Sequence, residues 1–133
     1  MCELLRWLAV GKITNDEFEA DLPESYDRSI VEIFSKGAWF LYDDLREYKL
    51  SGRDSLESYE KSIVARWILF LKTDFEYEWP NAEFREAFIK TISLGLFGQS
   101  TLDKWRKYGD VSYWPFKNGD QFEYAKKTKV YLQ

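Results

Sequence analysis

Residues 62–80 read SIVARWILFLKTDFEYEWP, and this stretch holds the densest apolar run of the chain together with its sharpest stop signal. Ile63, Trp67, Phe70 and Leu71 recur at helical spacing, and Val64 and Ile68 widen the stripe until such a helix must be covered on most sides. The pattern predicts a central buried helix over about residues 56–73. From Thr73 the spacing changes from helical to alternating. Phe75, Tyr77 and Trp79 interleave with Asp74, Glu76 and Glu78, and Pro80 biases Trp79 toward an extended backbone.

Working toward the N-terminus, residues 50–53 read as a polar turn around Gly52, with Asp54 or Ser55 expected to cap the central helix. Before that turn a long helix is expected, with Asp27 as its N-cap and Ile30, Ile33, Phe34, Leu41, Leu45 and Tyr48 on one face. Gly37 is its weak point: it either breaks the helix or lets a neighbouring element come close. The run at 38–42 also fits a strand, but the helical spacing continues through it. Thr14 and Glu17 form a T-x-x-E capping box for a short helix that ends before Pro23, with Ile13 and Phe18 placed as a hydrophobic staple. The first helix carries Leu4, Leu5, Trp7 and Leu8 and is ended by Gly11.

Toward the C-terminus, Phe84, Ala87, Phe88 and Ile92 predict one more amphipathic helix, and Leu102, Trp105 and Arg106 a short one capped by Ser100. The tail is the least regular part, with a turn signal at Asn118-Gly119 and a last helical turn or two around Phe122 and Ala125. Tyr77-Glu78-Trp79-Pro80 and Ser112-Tyr113-Trp114-Pro115 both read as aromatic-Pro corners that start a helix and bury a Trp. The expectation is an all-α fold: one compact helical domain over residues 1–133, with five to six helices around the central one.

Composition bounds the function more by exclusion than by suggestion. A chain of 133 residues can bury a core without disulfides or a structural metal, and 45% hydrophobic with 32% charged residues marks a globular chain. One cysteine, Cys2, rules out an internal disulfide. Arg6 interrupts the apolar residues after Met1, and no apolar run approaches the roughly 20 residues of a membrane span, so a cytoplasmic protein with no membrane partner is expected. There is no histidine. That removes Ser-His-Asp and Cys-His constellations, His-ligated zinc and the commonest general base near neutral pH. Gly95 and Gly98 lack the Lys-Ser/Thr that a phosphate loop needs.

Carboxylates and rings remain. Asp43 and Asp44, placed on the third helix, with Asp74, Glu76 and Glu78, form the one set that a divalent metal or acid/base chemistry would draw on, though their spacing matches no known metal loop. Arg66 interrupts the central apolar run and is expected to pair with Asp43, Asp44 or Asp74. The set Asp43, Asp44, Arg66, Asp74, Glu76, Tyr77, Glu78, Trp79 and Trp114 is the candidate interaction surface, and no cofactor or metal ligand set is assigned. Charge is polarised: between residues 16 and 32 seven carboxylates face Arg28 alone, whereas Lys104, Arg106, Lys107, Lys117, Lys126, Lys127 and Lys129 make the tail basic. The net charge of −4 argues against general nucleic-acid binding.

The segments ITNDEFE (13–19), WFLYDDL (39–45), RWILFLKTDFEYEWP (66–80) and YWPF (113–116) together resemble a family of small uncharacterised bacterial proteins. The resemblance implies a compact single domain and carries no catalytic residue. The leading expectation is a non-enzymatic interaction protein, of the immunity or antitoxin kind, that neutralises a protein partner by surface complementarity. The alternatives are a carboxylate-dependent enzyme or small-ligand binder, and a nucleic-acid accessory role for the basic aromatic tail.

Overall fold

The computed structural model describes residues 1–25, 27–79 and 108–128. Among them are five α-helices: α1 (Cys2–Ala9), α2 (Asn15–Ala20), α3 (Arg28–Lys36), α4 (Ser58–Leu71) and α5 (Gly119–Lys127). None of the described residues lies in a strand, and the pairing of Thr14 with Lys49 is an isolated antiparallel bridge. No described helix is long and apolar enough to cross a membrane. The helices expected at 84–92 and 102–106, the Pro80 corner and the last five residues lie outside the described residues.

The central helix is α4. It starts two residues later than its apolar spacing suggests, because neither Asp54 nor Ser55 caps it. Glu57 does: its carboxylate accepts the Glu60 N–H while the Glu60 side chain accepts the Glu57 N–H at 3.0 Å, a reciprocal box built with an acid in place of the usual Ser or Thr. Asp54 instead ends a short turn of 3₁₀ helix (Gly52–Asp54) and pairs with Arg46. At the other end Thr73 stops the helix. Its hydroxyl donates to the Phe70 carbonyl at 2.6 Å and accepts the Phe75 N–H at 3.3 Å, turning the chain outward. Val64, Trp67, Ile68, Leu69 and Phe70 are buried along its length. Fully burying one such side chain contributes about 1.5–3 kcal/mol, so α4 carries a large share of the core.

Helix α1 packs on α4 and ends as its sequence predicts. Gly11 has φ +73°, its N–H donates to Leu8 O at 3.1 Å, and the Lys12 N–H donates to Trp7 O at 2.8 Å, the paired bonds of a Schellman cap. Helix α2 is capped by Thr14 through the Glu17 N–H, and α3 by Asp27 through the Ser29 N–H. The long third helix is where sequence and structure part. It ends at Lys36, and after a 3₁₀ turn (Ala38–Phe40) residues 41–50 form a loop, so Asp43, Asp44 and Leu45 are not helical. The run at 38–42 is no strand either.

Gly37 accounts for the break and also for the close approach. A Cβ at this position would stand 2.7 Å from Ile33 O and 2.8 Å from the Trp67 ring. Both alternatives read from the sequence therefore hold at once: α3 stops here, and the stop lets Trp67 of α4 lie against bare backbone. Gly37→Ala is expected to lower stability by about 1–3 kcal/mol through overpacking. A drop in the midpoint of urea unfolding at unchanged slope checks this.

Candidate functional site

The nine residues of the predicted surface fall into two separate places. Arg66, Asp74, Glu76, Tyr77, Glu78, Trp79 and Trp114 gather where the chain leaves α4 and meets the 109–117 corner; Asp43 and Asp44 lie elsewhere, on the 41–50 loop.

At the first place the alternation from 74 to 79 is real but points the other way from a ring-bearing surface. Tyr77 is 7% exposed and Trp79 and Trp114 1% each, while Asp74, Glu76 and Glu78 face solvent. The rings are core. The Trp114 indole meets Trp67 edge-on at 5.9 Å and donates its N–H to the Tyr77 hydroxyl at 2.9 Å; the Trp79 indole donates to Pro115 O at 3.2 Å and Phe116 O at 3.3 Å. Buried ring N–H groups that find acceptors cost little, and here they also fix the register of the two segments.

Arg66 belongs to the same arrangement. In place of the expected pairing with Asp43, Asp44 or Asp74, its Nε donates to the Trp114 carbonyl at 2.7 Å. Burial pushes the guanidinium down to about 10, with Tyr113 and Asp110 pulling it back up, so it remains charged near neutral pH. Of the carboxylates on the 74–78 segment, Asp74 and Glu76 are exposed and Glu78 pairs with Lys117 at 3.7 Å, which leaves the corner's carbonyl as the acceptor for Arg66. Arg28 lies over the Tyr77 ring at 5.1 Å and donates to the Trp79 carbonyl. Asp74 and Glu76 also line an open cleft of about 730 Å³ with Asp27 and Arg28.

The second place is built around a residue whose weight the sequence does not reveal. Asn15, the first residue of α2, is 1% exposed. Its Nδ2 donates to Arg46 O at 2.9 Å and Asp43 O at 3.3 Å, its Oδ1 accepts the Tyr48 N–H at 2.9 Å, and its own N–H donates to Tyr48 O at 3.1 Å. One side chain thus closes the 43–48 loop onto α2. Further ties stiffen it. Asp43 Oδ1 accepts the Leu45 N–H at 2.8 Å, the Tyr48 hydroxyl accepts the Asp43 N–H at 2.6 Å, and Thr14 Oγ1 donates to Glu47 at 2.8 Å. Arg46 lies over the Tyr48 ring at 4.0 Å and pairs with Asp54 at 3.1 Å.

The outcome is a rigid acidic projection with an apolar tip. Leu45 is 91% exposed, against the expectation that it packs with Leu41 and Tyr48, and Asp43, Asp44 and Glu47 around it are exposed with Asp16 and Glu17 of α2. The field is felt beneath the loop. Tyr42 is pushed well above the ordinary phenol range by burial first, then by the hydrogen bond it donates to Glu19 at 2.7 Å and by the charges of Glu19, Asp44 and Asp16. Among the described residues no three Asp, Glu or Cys side chains gather closely enough to hold a metal ion. In the tail, Lys126 pairs with Glu123 and lies over Phe122, while Lys129 is outside the described residues.

Compared with models of known families, with curated proteins and with solved structures, the chain matches none. No known family therefore lends an activity or a residue role to this geometry.

Two measurements follow from the site. Asn15→Ala keeps the backbone bond to Tyr48 O but leaves the Tyr48 N–H, Arg46 O and Asp43 O without their side-chain partner, with an expected loss of about 1–3 kcal/mol and faster amide exchange at Leu45 and Tyr48. Tyr77 is also pushed up, by burial first, with Glu32 adding to the rise and the Trp114 hydrogen bond and Arg28 opposing it. Because a raised phenol holds its proton longer folded than unfolded, its contribution to stability is lost as pH rises above about 10. Absorbance titration is expected to show Tyr42 and Tyr77 ionising only as the protein unfolds in alkali, with Tyr42→Phe and Tyr77→Phe each removing one late-ionising phenol.

Proposed function

We propose that the chain is a non-enzymatic protein-interaction module, of the immunity or antitoxin type, that binds a basic protein partner through the 43–47 loop. The observation that carries this reading is Leu45: an almost wholly exposed leucine on a loop hydrogen-bonded from beneath, flanked along the chain by exposed Asp43, Asp44 and Glu47 and by Arg46, whose charge is met by Asp54. A pre-organised loop loses little freedom on binding, a desolvated apolar anchor supplies affinity, and surrounding carboxylates steer a cationic partner and speed its approach. The absence of histidine and the scatter of the remaining carboxylates give no comparable support to a catalytic reading. A small bacterial toxin that acts on nucleic acid has the required positive surface, and an acidic neutraliser is its complement.

The test is affinity capture with the intact chain and with two loop variants from the same cells. The wild type is expected to retain a positively charged protein in a complex that weakens as salt rises. Leu45→Ala should weaken binding about tenfold, and Asp44→Lys should slow association and flatten the salt dependence, both at unchanged melting temperature. A partner held equally well by both variants would remove the loop from the interface.

A further inference from the structure

Residues 43–47 read DDLRE, so the loop carries one cation among its carboxylates, and that cation directly follows Leu45. A free arginine beside the apolar anchor would repel a cationic partner at the point of contact. The fold holds this charge in two ways. The Arg46 guanidinium lies over the Tyr48 ring at 4.0 Å, and its Nη2 donates to Asp54 Oδ1 at 3.1 Å.

Each member of the stack is fixed from a different direction. Asn15 Nδ2 binds the Arg46 carbonyl at 2.9 Å. Tyr48 is held at both ends: its N–H donates to Asn15 Oδ1, and its hydroxyl accepts the Asp43 N–H. Asp54 comes from outside the loop, at the end of the 3₁₀ turn Gly52–Asp54, where its N–H donates to Ser51 O at 3.0 Å and Gly52 adopts φ +58°. The Arg46 and Asp54 side chains are 56% and 41% exposed, so their pairing adds little to stability. What it sets is the field. Closely paired opposite charges nearly cancel at the distance of an approaching surface, which leaves Asp43, Asp44 and Glu47 to act undiminished.

We infer that Asp54 is a positioning residue for recognition: through Arg46 it makes the Leu45 loop select a surface that is cationic all around the apolar pocket and offers no carboxylate beside it. The inference rests on the reading of this loop as the binding site. It adds a residue outside the loop that decides which partners the loop rejects.

The local potential is measured on the full chain without any partner. The probes are a cationic aminomethyl nitroxide and an anionic carboxyl nitroxide, and the ratio of the relaxation they cause at the Asp44, Leu45 and Glu47 amides reads the charge near the loop. Wild type is expected to favour the cationic probe. Asp54→Asn should lower that preference at least twofold and shift the Tyr48 ring protons as the guanidinium leaves the ring. Arg46→Gln combined with Asp54→Asn restores the loop's net charge and should recover the preference. Both positions are half-exposed, so the melting temperature is expected to stay put. Unchanged nitroxide ratios, or Tyr48 ring signals that do not move in Asp54→Asn, would overturn the inference. The basic protein retained in the capture experiment supplies a second readout: its association should slow about fivefold with Asp54→Asn and recover in the double variant. A partner weakened by Leu45→Ala but indifferent to Asp54→Asn overturns this inference and leaves the loop in the interface. A partner indifferent to both substitutions overturns both readings.

Discussion

The indole of Trp114 is where separate parts of the chain are tied together. Trp67 of α4 meets it edge-on, Tyr77 from the segment beyond α4 accepts its N–H, and Arg66 of α4 takes the carbonyl of the same residue. Trp79 repeats the arrangement one step away by donating to Pro115 O and Phe116 O, and Phe116 packs edge-on against Phe70 at 5.1 Å. Without this corner, Tyr77 and Trp79 would lose their hydrogen-bond partners on residues 114–116, and Trp67 and Phe70 of α4 would lose the rings packed against them. Aromatic area supplies the driving force, while the indole and guanidinium hydrogen bonds select one register for it. That division of labour explains why so many rings, 19% of the chain, leave so little ring surface in the described segments around the corner.

The loop proposed to bind a partner sits away from this core, and for such a loop the separation is a physical requirement. A binding loop must keep its apolar anchor in water until the partner arrives, so it has to be held by polar bonds instead of by burial of its own tip. Asn15 provides them, and because it is buried each of its bonds is made in a medium where leaving it unmade would be costly. The loop is thereby stiff although Leu45 touches little.

What could be read in advance was whatever a local pattern encodes. The Thr14 cap, the Gly11 cap, the Asp27 cap and the alternation of 74–79 each depend on residues within a few positions of one another, and each holds. Two of the failures share a cause, a partner distant in sequence. Leu41, Leu45 and Tyr48 keep helical spacing, but the backbone there spends its hydrogen bonds on Asn15, about thirty residues earlier, and no periodicity records that. Arg66 was legible as a charge needing a partner; its acceptor, a carbonyl 48 residues on, was not. Glu57 is a local exception, because an acid is an unusual N-cap member of a capping box. Exposed Leu45 could have been suspected only from its neighbours, since a leucine between two aspartates and an arginine sits poorly on a buried helical face.

The claim on which the account rests is that the Trp114 corner and the segment leaving α4 stabilise each other. A double-mutant cycle on Tyr77→Phe and Trp114→Phe, read from equilibrium urea unfolding, measures that coupling directly. The account predicts an interaction energy of about 1 kcal/mol, with the double variant less destabilised than the sum of the singles. Additivity within about 0.3 kcal/mol would contradict it.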